Sequence, residues 1–315
     1  MSHRGQPVFD RALASRGGAT RDGQPISYSR APAADLAPWI ARLYVTDVEA
    51  PADYRLDCGL FCDTSFVRLQ LRGGWSAMTA DGERRIDRAA LFFGPNTRRM
   101  PIGVTGAFTS VGIAFRPGAL HTLALGQQLH DHLDRLVPID ALGFSSDRWL
   151  TLIDPDDTAE GWVLAMEAEI RAIIGQYQPA EPDPVSVRFE AAAFSDPAIS
   201  VAALADSWGI EQRRLERIVR RDFGMPPKQV LRRARALDMA SHLRGVADQA
   251  EAEDLMLRYY DQSHLIREFT ALFGMSPRQF VGRPQPLMTL SLETRQARRL
   301  ELIERIAPGA IRPWQ

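Results

Sequence analysis

The sequence predicts an α+β multidomain chain. A small antiparallel β-barrel with flanking helices comes first, and an all-α domain with two helix-turn-helix units joined by a linker helix follows. Three observations predict it. Apolar residues recur at every second position between about Tyr54 and Phe115. From Ser200 onward the period is helical. Within Ser200 to Phe280 one pattern is written twice at a spacing of roughly fifty residues, the range of repeated helical units.

Composition bounds the problem. At 315 residues, with 45% hydrophobic and 24% charged residues, the chain can build two cores and has the make-up of a globular protein rather than a fibre or a disordered chain. The formal net charge of −1 hides a local basic stretch, and because Lys228 is the sole lysine, arginine is nearly the only cation. No apolar run approaches the roughly 18 residues that span a bilayer. The opening MSHRGQPVFDRALASRGG lacks the apolar core of a signal peptide, so the expectation is a cytoplasmic protein with no membrane partner.

Taken in order, residues 1–25 are rich in Gly, Arg and Ser without periodicity, which predicts a mobile segment. Residues 26–180 form the first domain. Leu36, Trp39, Ile40 and Leu43 suit either a helix or an apolar lead into a strand. Val67, Leu69 and Leu71 alternate with Arg68, Gln70 and Arg72, and Val111, Ile113 and Phe115 with Gly112 and Ala114, the pattern of half-buried strands. Asp81-Gly82 signals a hairpin, and several short strands so punctuated suggest a small barrel or sandwich. Leu120, Leu123, Leu129, Leu133 and Leu136 predict helices covering the barrel's end or making a partner surface. Thr158 caps a helix carrying Trp162, Met166, Ile170 and Ile173, and Pro179, Pro182 and Pro184 mark the interdomain linker.

Residues 181–284 form the helical domain. Its first copy of the repeat reads RRLERIVRRDFGMPPKQV and its second SHLIREFTALFGMSPRQF. On a helix starting near Gln212, Leu215, Ile218 and Val219 share one face while Arg213, Arg217 and Arg220 share the other. Val201, Leu204 and Ala205 make a scaffold stripe ended by Gly209, suited to the tight turn between helices. In the second copy Leu265, Phe269 and Leu272 oppose Ser263, Ile266, Arg267 and Thr270. Gly224 and Gly274 then end the two helices, and Pro227 and Pro277 start the next, with Ser276 as a cap. The linker helix from Pro227 to about Leu243 would be a rod of about 25 Å. It is suited to holding two reading helices near one DNA turn apart. Beyond Pro286 (residues 285–315), Leu292, Ala297, Leu300, Ile303 and Ile306 form an amphipathic helical extension that docks on the body or on a second subunit, as in a homodimer.

An arginine-rich exposed helix above a buried apolar face can be a merely solvated surface. Joined to a turn glycine, a scaffold helix and a repeat, it points to double-stranded DNA, since guanidinium groups pair phosphates and read guanine edges. The expected DNA-binding residues are Gln212, Arg213, Arg214, Arg217, Arg220 and Arg221 in the first unit and Gln262, Ser263, His264 and Arg267 in the second. Arg214 and Arg221 would hold phosphates, while Arg213, Arg217, Gln262 and Arg267 would discriminate bases. His264 could approach a phosphate or bond the neighbouring backbone.

The stretch Asp261-Gln262-Ser263-His264, with Arg267, Phe269 and the Phe273-Gly274-Met275-Ser276-Pro277 tail, resembles the DNA-binding domain of AraC/XylS-type transcription regulators. The resemblance covers about eighty residues. It implies two helix-turn-helix units whose third and sixth helices enter the major groove. Asp254 and Arg258 depart from the family's small residue and turn glycine. FGPNTRRM and GIAFRPGAL resemble the cupin-like sensor portion found ahead of that domain in some members, which implies a small-molecule effector site or a dimerising role.

Catalysis is not indicated. The strand region contains no histidine, so a cupin-type metal site lacks ligands, and His130 and His132, two apart on a helix, would point away from each other. GxSxG, P-loop and GxGxxG stretches are absent, and no cofactor or metal is expected. Cys58 and Cys62 could be paired, reactive or plain packing residues. The reading is a sequence-specific, effector-responsive transcription regulator. The alternative is an interaction protein derived from such a regulator, with a second unit that no longer touches DNA.

Overall fold

The computed structural model of the protein describes residues 6–123, 128–248 and 262–315. Strands β1 (Ala14–Ser15), β2 (Tyr28–Arg30), β3 (Ile40–Glu49), β4 (Arg55–Leu60), β5 (Phe66–Thr79), β6 (Gly82–Ile86), β7 (Ala89–Phe93), β8 (Met100–Phe115) and β9 (Leu136–Pro138) make one antiparallel sheet. Its order is β1-β3-β8-β5-β7-β9, with β2 on β3, β4 on β8 and β6 on β5. Helices α1 (Ala119–Thr122), α2 (Ser146–Thr151) and α3 (Ala159–Tyr177) complete the first domain. The second holds α4 (Pro184–Ser195), α5 (Val201–Trp208), α6 (Gln212–Phe223), α7 (Pro227–Leu243), α8 (Gln262–Phe273), α9 (Pro277–Val281) and α10 (Pro286–Leu302).

The sheet curls because its two longest strands change partners along their length. β8 pairs with β4 over Met100–Thr105 and with β3 over Phe108–Phe115, and β5 runs beside it through both halves. The β5/β8 register shifts on either side of Arg72. Gly73 sits in that bend at φ 92°, where an added Cβ would lie 2.7 Å from the Ala107 carbonyl oxygen. Only a residue without a side chain fits there. The Asp81-Gly82 signal is a hairpin turn joining β5 to β6.

Both faces of the sheet are covered. Leu43, Val45, Val67, Leu69, Val111 and Ile113 pack with Val163, Met166 and Ile170 of α3, which Thr158 caps as expected, and with Trp149 of α2. Tyr44, Phe66, Trp75, Phe108 and Ala114 face the other way, into a core shared with Leu287, Leu290 and Leu292 of α10. The expectation of half-buried strands is therefore corrected for β5 and β8. Arg68 and Gln70 lie inside, because α10 covers the face that the alternation assigns to water. The ambiguous stretch at Leu36 to Leu43 is a turn entering β3. The leucines from Leu120 to Leu136 fall on the short α1, a 3-10 turn over Leu129–His132 and β9 rather than on long helices.

In the helical domain, Val185 and Phe189 of α4, Leu204 and Ala205 of α5, Leu215, Ile218 and Val219 of α6, and Val230 and Ala234 of α7 share one core. Ser200 caps α5, and Gly209 and Gly224 take left-handed backbone at φ 63° and 73° to close α5 and α6. Ser276 and Gln279 form a capping box at α9. The scaffold of the second unit, with Asp254 and Arg258, lies outside the described residues.

The junction between domains is made by α10. The amphipathic pattern predicts a helix docked by one face, whereas Leu287, Leu290, Leu292 and Leu300 are buried together with Glu293, Arg295, Arg298 and Arg299. Each fully buried leucine is worth about 1.5–3 kcal/mol, and the charges are matched. Arg295 bonds Asp63 Oδ2 at 2.7 Å and Asp238 Oδ1 at 2.6 Å, Arg298 pairs with Glu190, and Arg312 pairs with Glu293. The opening segment, expected to be mobile, is part of this junction from residue 6 on. The Val8 carbonyl and the Gln24 Oε1 both accept from Arg244 Nη2, at 2.9 and 2.6 Å, and β1 extends the sheet at Ala14 and Ser15. Burial pushes the Arg244 guanidinium down to about 10.

Candidate nucleic-acid interface and candidate effector cavity

Helix α6 is held from below. Leu215, Ile218 and Val219 are buried against α4, α5 and α7, and Phe223 stacks edge-on against Phe189 with ring centroids 5.3 Å apart. That clamp leaves Gln212, Arg213, Arg214, Arg217 and Arg220 exposed. Gln212 Nε2 donates to Glu216 Oε1 at 2.8 Å. Among the described residues no carboxylate pairs with Arg213, Arg214, Arg217 or Arg220, so four guanidinium groups stand unneutralised along one helix.

Arg221 stands apart from them. Its Nε and Nη2 donate to both oxygens of Asp222, at 2.6 and 2.8 Å, and Asp183 lies 3.7 Å away. Asp222 is buried at the start of the contact with the first domain and also accepts from the Ser186 hydroxyl. The expected phosphate ligand is thus occupied by an internal fork, the strongest geometry an arginine has for a carboxylate.

In the second unit, Leu265, Phe269 and Phe273 of α8 are buried, and Ser263, His264, Ile266, Arg267 and Thr270 are exposed. His264 Nδ1 is 4.0 Å from Glu268, which itself takes Arg232 and Arg235 of α7 at 3.3 and 3.2 Å. The side chain of Gln262 lies outside the described residues. This unit leans on the β domain: Phe273 meets Phe61 edge-on at 5.2 Å, and the Leu272 carbonyl accepts from the Arg99 amide at 2.8 Å.

The linker helix adds Lys228, Arg232, Arg233 and Arg235 to the basic stretch of the helical domain. Arg233 is fully buried and donates to the Asn96 carbonyl at 2.9 Å and the Asp63 carbonyl at 2.7 Å. Burial pushes it down to about 10. A long side chain from α7 can cross the junction where a short one cannot, so Arg233 fastens the two domains together.

A cavity of about 80 Å³ lies between the sheet and α10, walled by Tyr44, Phe61, Phe66, Arg68 and Trp75 on the barrel side and by Leu287, Leu290, Ser291 and Arg295 on the helix side. The guanidinium carbon of Arg68 sits over four rings, 5.0 Å from Trp75, 5.4 Å from Phe66 and Phe93, and 5.7 Å from Tyr44. Cys62 also borders it, its Sγ 3.5 Å from the Ser291 hydroxyl and its thiol pushed up to about 11 by burial. Both cysteines are free. Sequence reasoning missed Arg68, Trp75 and Arg295. A signal existed: Phe66 has the same parity as Arg68 and Gln70, which is at odds with a solvated face.

Among the described residues no cluster of three His, Cys, Asp or Glu side chains is placed to hold a metal ion, and no helix is long and apolar enough to cross a membrane. His130 is exposed beside Asp131, whereas His132 is buried edge-on against Phe92.

This architecture and its arginine face define a class, the helix-turn-helix DNA-binding transcription regulators. Residues 204–283 match the family described as a helix-turn-helix domain, and residues 28–138 match a domain of unknown function (DUF6597). The protein is a transcription regulator whose C-terminal domain is of the AraC type, preceded by a β domain. No curated protein matches the chain. Among solved structures, ToxT from Vibrio cholerae is 8% identical over 76% of this chain and 97% of that one, with a TM-score of 0.44. ToxT from Vibrio cholerae O395 bound to (E)-4-(8-methylnaphthalen-1-yl)but-3-enoic acid is 10% identical over 76% and 97%, at 0.41. The AraC-like transcriptional activator CuxR is 16% identical over 62% and 76%, at 0.30. Likenesses at these scores define no shared site.

Proposed function

We propose that the protein binds DNA sequence-specifically through α6 and regulates transcription in response to a small molecule held in the cavity under α10. The carrying observation is the solvent face of α6. Arg213, Arg214, Arg217 and Arg220 are exposed and lack carboxylate partners among the described residues, on a helix fixed by a buried apolar face. Such a helix presents fixed cations to a duplex: Arg214 reaches phosphate, and Arg213 and Arg217 reach base edges. In the second unit Gln262, Ser263 and Arg267 take the base-reading role.

Selection of bound fragments from random DNA with the purified protein tests this. Enrichment of a defined site with a steep salt dependence supports it, and the spacing of any half-sites reports whether one unit or both units of the chain are read. Recovery of random fragments alone overturns sequence-specific reading.

One observation favours the reading in which the second unit is silent. The exposed face of α8 offers Ile266, Thr270 and a single arginine, Arg267, where α6 offers four. Gel-shift titration of Asp254→Ala with Arg258→Gly beside the parent separates the two. A strong gain of binding means that the second unit has lost its grip, and an unchanged affinity means that it already engages DNA.

A further inference from the structure

The two helix-turn-helix units meet at a cluster of charge. Glu268, 8% exposed on α8, receives the Arg235 guanidinium of α7 as a fork, with Nη2 3.2 Å from Oε1 and Nε 3.3 Å from Oε2. The other arm of the same guanidinium, Nη1, donates to the Pro197 carbonyl at 3.0 Å. Pro197 lies in the short segment between α4 and α5, the scaffold helix of the first unit. That segment is itself pinned, since the Asp196 side chain accepts the Ala198 amide at 3.1 Å and Ser200 caps α5. One planar group thus reaches from the first unit to the second reading helix. A lysine, a point charge without a fork, cannot make both contacts. Arg232 adds a contact to Glu268 Oε1 at 3.3 Å, and His264 Nδ1 stands 4.0 Å from Oε2.

The other contacts of α8 act differently. Leu265 and Phe269 are buried apolar residues, and Leu272 and Phe273 at the C-terminal end touch the β domain. Apolar packing is non-directional and tolerates small rotations that a hydrogen-bonded fork does not. Glu268 follows Arg267 by one residue, about 100° round the helix. Holding Glu268 against α7 therefore aims Arg267 outward, where it is exposed. We infer that Arg235 and Glu268 are positioning residues for DNA recognition: they fix the rotation of the second reading helix relative to the first unit, and with it the spacing at which one chain reads two half-sites. This deepens the proposed function and rests on DNA reading by α6, to which it adds a fixed geometry for α8.

The experiment takes the site selected from random DNA, varies the number of base pairs between its two halves, and titrates the full chain and its variants by fluorescence anisotropy. One inserted base pair turns the second half by about 35° relative to the first. The parent loses about tenfold in affinity when one base pair is added or removed. Arg235→Met and Glu268→Ala bind the best spacing about tenfold less tightly, yet lose only about threefold or less per shifted base pair, because a loosened α8 follows its half-site. A mismatch in the first half costs the same in parent and variants. Mere loss of stability lowers binding equally at every spacing and leaves the profile as steep as before. Arg235→Lys, which keeps the charge without the fork, also flattens the profile and decides the matter if Arg235→Met does not fold. Glu268→Gln, which keeps an acceptor, falls between parent and Glu268→Ala. An unchanged profile in the folded variants, a parent indifferent to spacing, or a parent that selects a single half-site overturns the inference and leaves DNA reading by α6 standing. A parent that selects no defined site removes both.

Discussion

Arg217 and Arg221 lie about one turn apart on α6 and meet opposite surroundings. Arg217 stands in solvent, while Arg221 grips the buried Asp222. Arg217→Ala should lose about 1–3 kcal/mol on a cognate site and relax base preference at one position, with little change in stability. Arg221→Ala should instead lower unfolding stability by about 1–3 kcal/mol in urea, because Asp222 stays buried with fewer partners, and leave base preference alone. Equal loss on all sequences for Arg217→Ala would reassign it to the phosphate backbone. Asp63 offers a second test. Burial alone would raise its carboxyl, but the Arg295 and Arg233 guanidinium groups beside it hold it below the usual carboxylate range. A depressed folded value means stability that is present above the unfolded value of about 4 and lost as pH falls through the folded one. Asp63→Asn should therefore cost about 1–3 kcal/mol at neutral pH, with the gap to the parent closing in acid. A gap that persists unchanged at low pH would show that the charge is not what Asp63 contributes.

The elements differ in how much of them the sequence displays. α5, α6, α7, α8 and α9 carry boundaries in local chemistry: Ser200 and Ser276 as caps, Gly209, Gly224 and Gly274 at positive φ, and Pro227 and Pro277 at first helical positions. Such signals act over a few residues and need no tertiary partner. The bend in β5 is less visible, since Gly73-Gly74 reads as mere punctuation until the Ala107 carbonyl is known to stand behind Gly73. Gly82, at φ 101°, has nothing within 4 Å of an added Cβ. Gly82→Ala should cost about 1–2 kcal/mol for its backbone conformation alone, and Gly73→Ala clearly more, as read by chemical unfolding of the two variants side by side. Equal costs would mean that the close approach at Gly73 is relieved without strain.

At the scale of the molecule the two domains are joined by a helix and a terminus that each look peripheral in the sequence. Trp314 is buried with its Nε1 3.3 Å from Glu293 Oε1, and the Trp314 carbonyl accepts from the Arg21 amide at 3.0 Å. Arg312 pairs with Glu293, whose carboxyl burial pushes up and Arg312 and Arg42 pull back. A chain ending after Gly309 would leave Glu293 buried without Arg312. It should lose about 3–5 kcal/mol, with Glu293→Gln restoring part of the loss in thermal unfolding. Full stability in the shortened chain would show the tail to be an ornament rather than a latch.

The sequence by itself determined the repeated helical units, their caps and turns, the arginine face of α6 and the strand character of residues from Tyr54 to Phe115, since each of these follows from periodicity and backbone preference within a dozen neighbours. Tertiary structure alone decided which arginines are free. Arg68, Arg233, Arg244 and Arg295 are turned inward by partners up to 236 residues away, as with the Val8 carbonyl on Arg244. A guanidinium has the same local pattern whether water or a distant carbonyl receives it, so the pattern marks where a cation stands and only the packed fold settles what it faces.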